Sequence, residues 1–220
     1  MKKRQLIFAA IISFILGVAG AANAVILIPD TYVALNGTTV AENPNLGGTI
    51  VEDRNQDFSF SAYGGTVSGK VQVRVVWAND NTYDFYWRVF NDANSSGAIG
   101  DFRIAHFLTS TYNADYRIDG LGDVGPETAY LFDAPYEGYV NFNFGQRGLM
   151  AGQESLFFFL DTDEITYSET LLYDLTNMGQ TEISLSYPGF APGNPVPEPA
   201  TMALLGMGLV GLFGLKRRKK

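Results

Sequence analysis

Most of the side chains able to do chemistry here are carboxylates. The chain has 23 Asp and Glu, one His and no Cys. Without cysteine there is neither a disulfide framework nor a thiolate metal site. Asp161, Asp163 and Glu164 follow an apolar run directly, and Asp115, Asp119 and Asp123 recur every four residues in a Gly-containing stretch, with Glu127 four further on. Oxygen donors in loops suit calcium, which takes about 6–8 of them. Neither group follows the EF-hand pattern. The plainer reading is solvated turn acids, with no resident cofactor and calcium as an accessory. His106 lies between Ala105 and Phe107 in an apolar, strand-like stretch, where a structural role is expected. A Ser-His-Asp triad would have to use it, and no Gly-x-Ser-x-Gly elbow accompanies it. Phosphate-loop, dinucleotide and HExxH zinc motifs are also missing. A glycosidase needs two carboxylates across a cleft, but in so acidic a chain some pair fits by chance. The expectation is therefore a non-enzymatic protein, with a secreted hydrolase as a distant alternative. Exposed aromatic rings could instead stack on sugar faces. Trp77, Tyr86 and Tyr139 are the candidates, against the ordinary alternative that they are core. The Thr38-Thr39 and Thr109-Ser110-Thr111 groups are too irregular for a flat ice-binding array.

The formal charge of −8 hides an asymmetry. Three basic residues stand at positions 2–4 and five at 216–220, which leaves seven against 22 acids over residues 25–196, a net of −15. Such a surface repels a phosphate backbone, so nucleic acid is excluded as a partner.

The elements that must position these side chains read as strands. Val71, Val73 and Val75 alternate with Gln72 and Arg74; Tyr83, Phe85, Trp87 and Val89 alternate with Asp84, Tyr86 and Arg88. Ala78-Asn79-Asp80-Asn81 between them predicts a hairpin turn. Further strands are expected over 99–108, 139–144, 156–160, 170–175 and 182–187, about ten in all. The unbroken apolar run 156–160 suits a strand buried on both faces. No stretch before residue 200 has a helical period with caps. The expected fold is an all-β sandwich, jelly-roll-like, over residues 25–190.

Both ends of the chain read as targeting signals. Lys2-Lys3-Arg4, the apolar run 6–19 and the small residues of Ala22-Asn23-Ala24 are the three parts of a signal peptide in order. Signal peptidase would read Ala22 and Ala24 and leave Val25 first. The alternative is an uncleaved anchor, for which the run is short. At the other end, residues 187–199 hold five prolines. Proline lacks an N–H and constrains its predecessor, so neither helix nor ladder is expected to continue there. This predicts an extended linker, with residues 191–199 leading to the membrane. Residues 200–215 are apolar apart from Thr201, about 24 Å as a helix, and the alternative of a buried domain helix lacks a polar face. Lys216, Arg217, Arg218, Lys219 and Lys220 would stop that helix on the cytoplasmic side.

Val196-Pro197-Glu198-Pro199, the short Gly- and Leu-rich run and the five closing bases resemble the PEP-CTERM sorting signal. The resemblance covers about the last 25 residues. It implies a Gram-negative exporter, recognition at Pro-Glu-Pro by an exosortase-type membrane protease, and transient anchoring in the inner membrane. It also implies a final place at the cell surface or outside, often with exopolysaccharide or biofilm matrix. The stretches 83–102 and 151–162 loosely resemble ectodomains that precede such tails, and this implies no catalytic residue. A carbohydrate-binding module with structural calcium is the alternative for the domain.

Overall fold

The computed structural model describes residues 24–193. Twelve strands run in chain order: β1 (Val25–Ile26), β2 (Tyr32–Ala34), β3 (Gly48–Ala62), β4 (Gly65–Ala78), β5 (Tyr83–Asn91), β6 (Ile99–Ala105), β7 (Asn113–Tyr116), β8 (Thr128–Leu131), β9 (Val140–Asn143), β10 (Phe158–Asp161), β11 (Tyr167–Asn177) and β12 (Tyr187–Pro192). They form two six-stranded sheets with antiparallel neighbours. Sheet A has the order β1-β7-β10-β5-β4-β3, and sheet B the order β12-β11-β6-β9-β8-β2.

The alternation read along β4 and β5 becomes two faces, because successive side chains of a strand point oppositely. Val71, Val73, Val75, Phe85, Trp87 and Val89 enter the main core. Sheet B answers with Phe102, Ile104, Val140, Phe142, Tyr173 and Leu175. The sheets meet through rings: Trp87 lies 5.9 Å from Phe102, and Phe158 lies 4.8 Å from Phe142. Burying each such Phe contributes about 1.5–3 kcal/mol. Phe158, Phe159 and Leu160 are all buried, as the apolar run implied. Phe159 belongs to a second, smaller cluster on the outer side of sheet A, with Leu46, Val76, Tyr86 and Phe157.

Three local readings are corrected. β3, the longest strand, was not expected, because much of it is exposed at the sheet edge and its sequence lacks a clean alternation. The strand expected over 182–187 lies later: Ile183 makes only an isolated bridge to Thr176, and pairing with β11 begins at Tyr187. β12 then runs through Pro188 and Pro192, where an extended linker was expected, and passes the boundary at 190. It is an edge strand, and an edge tolerates the N–H that proline lacks.

The expected signal peptide (1–24), apart from Ala24 itself, lies outside the described residues. So do most of the linker, the apolar segment 200–215 and the basic tail. Among the described residues no helix is long and apolar enough to cross a membrane.

Candidate functional site

The carboxylates weighed as possible calcium ligands are dispersed, and several are tied to separate backbone segments. Asp115 Oδ1 accepts from the N–H groups of Gly37 at 2.8 Å and Tyr116 at 2.9 Å. Burial raises its pKa against those bonds. Asp119 accepts from Arg117 Nε at 2.5 Å and from the Val40 N–H at 2.9 Å. Burial opposes its ionisation, but those two donors outweigh it and hold the carboxyl below its ordinary range. Asp123 Oδ2 accepts from the Glu154 N–H at 3.2 Å. The backbone of Glu127 pairs with Asn143 and Leu35. Asp161, Asp163 and Glu164 diverge as well: Asp163 is exposed, and the Glu164 carbonyl accepts from the Tyr83 N–H at 2.7 Å. Among the described residues no group of three or more His, Cys, Asp or Glu is placed to hold a metal ion.

Asp161 does meet one carboxylate that the sequence did not single out. Leu160 pairs with Phe85, so Asp161 stands opposite Asp84 one step further along the ladder. Burial, then the charges of Asp161 and Asp80, push Asp84 up to about 9. Burial, then Asp80, pushes Asp161 up to about 6. Two like charges opposite one another in a sheet destabilise it unless a proton is retained. Asp84 is 1 % exposed, and its Oδ1 has no hydrogen-bond partner among the described residues.

The three proposed sugar-stacking rings also separate. Tyr86 is buried on the outer side of sheet A, its ring 5.2 Å from Phe159, and its hydroxyl donates to the Leu46 carbonyl at 3.3 Å. Trp77 is half-buried against Tyr83 at 4.7 Å. Tyr139 alone reaches the open outer face of sheet B.

On that face register dictates who meets whom. Tyr32 pairs with Tyr130, Tyr130 with Asn141, Asn141 with Arg103 and Arg103 with Asp174, giving one row across five strands. The Arg103 guanidinium is bound to Asp174 at 2.6 Å. Beside the row lie Phe132 and Tyr139, whose backbones pair at 3.1 Å. Gly138, at φ +78°, turns the chain there; a Cβ would stand 2.9 Å from the Phe107 carbonyl oxygen. The rings form an unbroken series. Centroid separations are 4.7 Å for Tyr32–Tyr130, 4.8 Å for Tyr130–Phe132, 6.4 Å for Phe132–Tyr136, and 6.0 Å for both Tyr136–Tyr139 and Tyr139–His106. A trough of about 300 Å³ runs alongside, lined by Arg103, His106, Tyr139, Asn141, Asp174 and Ser186 among others. His106 is not inside a strand as expected. It follows β6 directly, exposed, with φ +63°.

The ring series was missed in the sequence although a signal was there. Tyr130 and Phe132 are two apart, so they share a face opposite Ala129 and Leu131.

The face of sheet A carries the larger pocket, about 340 Å³, between Leu46, Arg74, Tyr86, Arg117, Leu121 and Phe157. Its guanidiniums are engaged: Arg74 with Asp53 at 2.8 Å and Arg117 with Asp119.

Comparison with curated proteins and with solved structures finds no match. A family model does match the region beyond the described fold. Residues 195–219 carry the PEP-CTERM protein-sorting motif, which supports export of this chain and its sorting by an exosortase through a C-terminal signal.

Proposed function

We propose that this chain is a non-enzymatic surface or extracellular-matrix protein of a Gram-negative bacterium, trimmed by an exosortase and associated with exopolysaccharide in a biofilm. The sorting motif at residues 195–219 carries the reading. In this reading signal peptidase acts between Ala24 and Val25. The segment 200–215 anchors the chain in the inner membrane only until processing, with Lys216, Arg217, Arg218, Lys219 and Lys220 held inside. The domain itself is a jelly-roll-like sandwich, supported by a chain that crosses between the sheets after β1, β2, β5, β6, β7, β9 and β10.

The test is a fractionation blot of the full chain, tagged in an exposed loop of the domain, in a host with an exosortase. Changing Pro197 and Glu198 together to Ala leaves export and insertion intact. The double variant should accumulate untrimmed in the inner membrane while the surface form falls. Trimming and release equal to the parent's would sink the sorting reading. A second reading, a carbohydrate-binding module, is favoured by the exposed rings of sheet B.

A further inference from the structure

We infer that the trough across the outer face of sheet B, with its series of rings, binds a single neutral polysaccharide chain. This rests on the exopolysaccharide reading above and names the site and the ligand class.

The rings are placed for contact rather than for folding. Tyr32 is 67 % exposed, Tyr136 57 % and Tyr139 37 %, whereas the core rings Trp87, Phe102 and Phe142 are fully buried. Contiguous exposed aromatic area on a folded domain marks a binding surface, since an isolated ring in water contributes little to the fold. A pyranose offers aromatic rings its axial C–H groups and offers polar side chains its hydroxyls. Both needs are met here. The rings lie at one end of the trough, and Asn141, the Arg103–Asp174 pair and Ser186 continue it across β9, β6, β11 and the approach to β12. The row from Tyr32 to Asp174 crosses four inter-strand gaps, about 19 Å at about 4.8 Å each. That is the length of an oligosaccharide, not of one sugar.

Two features narrow the class. Successive rings are turned by 48°, 73°, 77°, 77° and 54°. Neighbouring rings in the series are therefore not coplanar, which suits a flat crystalline glycan surface or an ice lattice poorly. A single chain can twist to follow. Charge then excludes polyanions. Asp30 accepts from the Tyr130 hydroxyl at 3.2 Å and from the Asp133 N–H at 3.3 Å, and exposed Asp133 and Glu137 stand in the same loop as Tyr136. The one guanidinium in the trough is held by Asp174. A uronic-acid polymer would meet these carboxylates, and the guanidinium that could offset them is already paired.

The experiment is affinity electrophoresis of the purified full chain in a sugar-free detergent, through native gels containing hydroxyethylcellulose, glucomannan, alginate or polygalacturonate. Retardation is expected in a neutral gel and not in the acidic ones. Tyr136→Ala with Tyr139→Ala should weaken it at least tenfold, and the matching Phe pair should retain it. Tyr32→Ala, at the far end of the row, should weaken it independently and guards against a folding defect in the pair. Retardation by none of the four polymers, or equal retardation of the Ala variants, overturns the site. Retardation by the acidic polymers alone overturns the ligand class. A change in self-association instead of glycan migration overturns it in favour of a second copy of the chain. No exosortase takes part, so a negative result here leaves the fractionation result standing, and the converse holds.

Discussion

The outer faces of the two sheets begin from the same alternation and are finished in opposite ways. On sheet A the row Asp115, Phe159, Tyr86, Arg74, Asp53 is roofed over at its first three members and runs out to exposed Asp53 at the sheet edge. The segment from Gly37 to Leu46 is tied down by Asp115, Asp119 and the Tyr86 hydroxyl. Guanidiniums lie on rings of this face, Arg74 at 4.5 Å from Phe157 and Arg88 at 4.5 Å from Phe90. On sheet B the row Tyr32, Tyr130, Asn141, Arg103, Asp174 has no such roof, and its rings meet water. Aromatic content alone therefore does not separate a core from a contact surface. What separates them is whether a loop is bonded down on top.

The sharpest break between the faces should come from truncating one ring on each. Phe159→Ala removes a fully buried ring of the roofed cluster and should cost about 3–5 kcal/mol. Tyr136→Ala, more than half exposed, should stay within about 0.5 kcal/mol. Urea melts of the two variants check this. Similar losses would mean that the sheet B rings are structural and would remove the contrast.

A smaller effect probes the buried charges of the roofed side. Asp84 is pushed up to about 9 by burial and then by the charges of Asp161 and Asp80, and Asp161 up to about 6 by burial and then by Asp80, from an ordinary value of 3.8. The folded chain thus retains protons that the unfolded chain releases near pH 4. The stabilisation they give is present below the unfolded value and is lost as pH rises through the folded values, between pH 4 and pH 9. Asp84→Asn keeps the shape without the charge. It should be neutral near pH 4 and more stable than the parent by about 1–3 kcal/mol at pH 9. A difference that does not change with pH would show that the pair is hydrated rather than buried.

The smallest effect expected is that of calcium. Asp115, Asp119 and Asp123 are engaged in anchoring the roof and the 154 segment. Millimolar calcium against chelator should move the melting temperature by less than about 2 °C. A larger shift would turn the roofed face into a metal-stabilised one.

The strands with strong alternation were legible from the sequence. Val71 to Val75 and Tyr83 to Val89 could bury one face only in one register. β3 was not legible, because Glu52, Asp53, Arg54 and Asn55 run polar along an edge, where Asp53 pairs with Arg74 on β4 and Glu52 and Arg54 meet Tyr167 and Glu169 from the other sheet. β12 was hidden by its prolines, which forbid a central strand but not an edge one. The sites were legible as residue types and not as constellations. Asp119 and Asp123 resembled ligands because spacing shows neither Val40 nor Glu154 arriving from elsewhere in the chain. Asp84 gave no sign of meeting Asp161, since only the β5–β10 register brings them together. Tyr139 was singled out correctly as a surface ring, but four of its companions, Tyr32, Tyr130, Phe132 and Tyr136, come from three other segments.

β12 also sets a leash. Gly193 is fastened twice to Thr166, its N–H donating to the Thr166 carbonyl at 3.0 Å and its own carbonyl accepting from Thr166 Oγ1 at 2.6 Å. Four peptide steps separate it from Pro197, at most about 14 Å of fully stretched chain. On the sorting proposal, an enzyme reading Pro-Glu-Pro would have to meet it within that distance of the folded body. The stand-off between domain and membrane becomes a quantity that an inserted Gly-Ser spacer could tune.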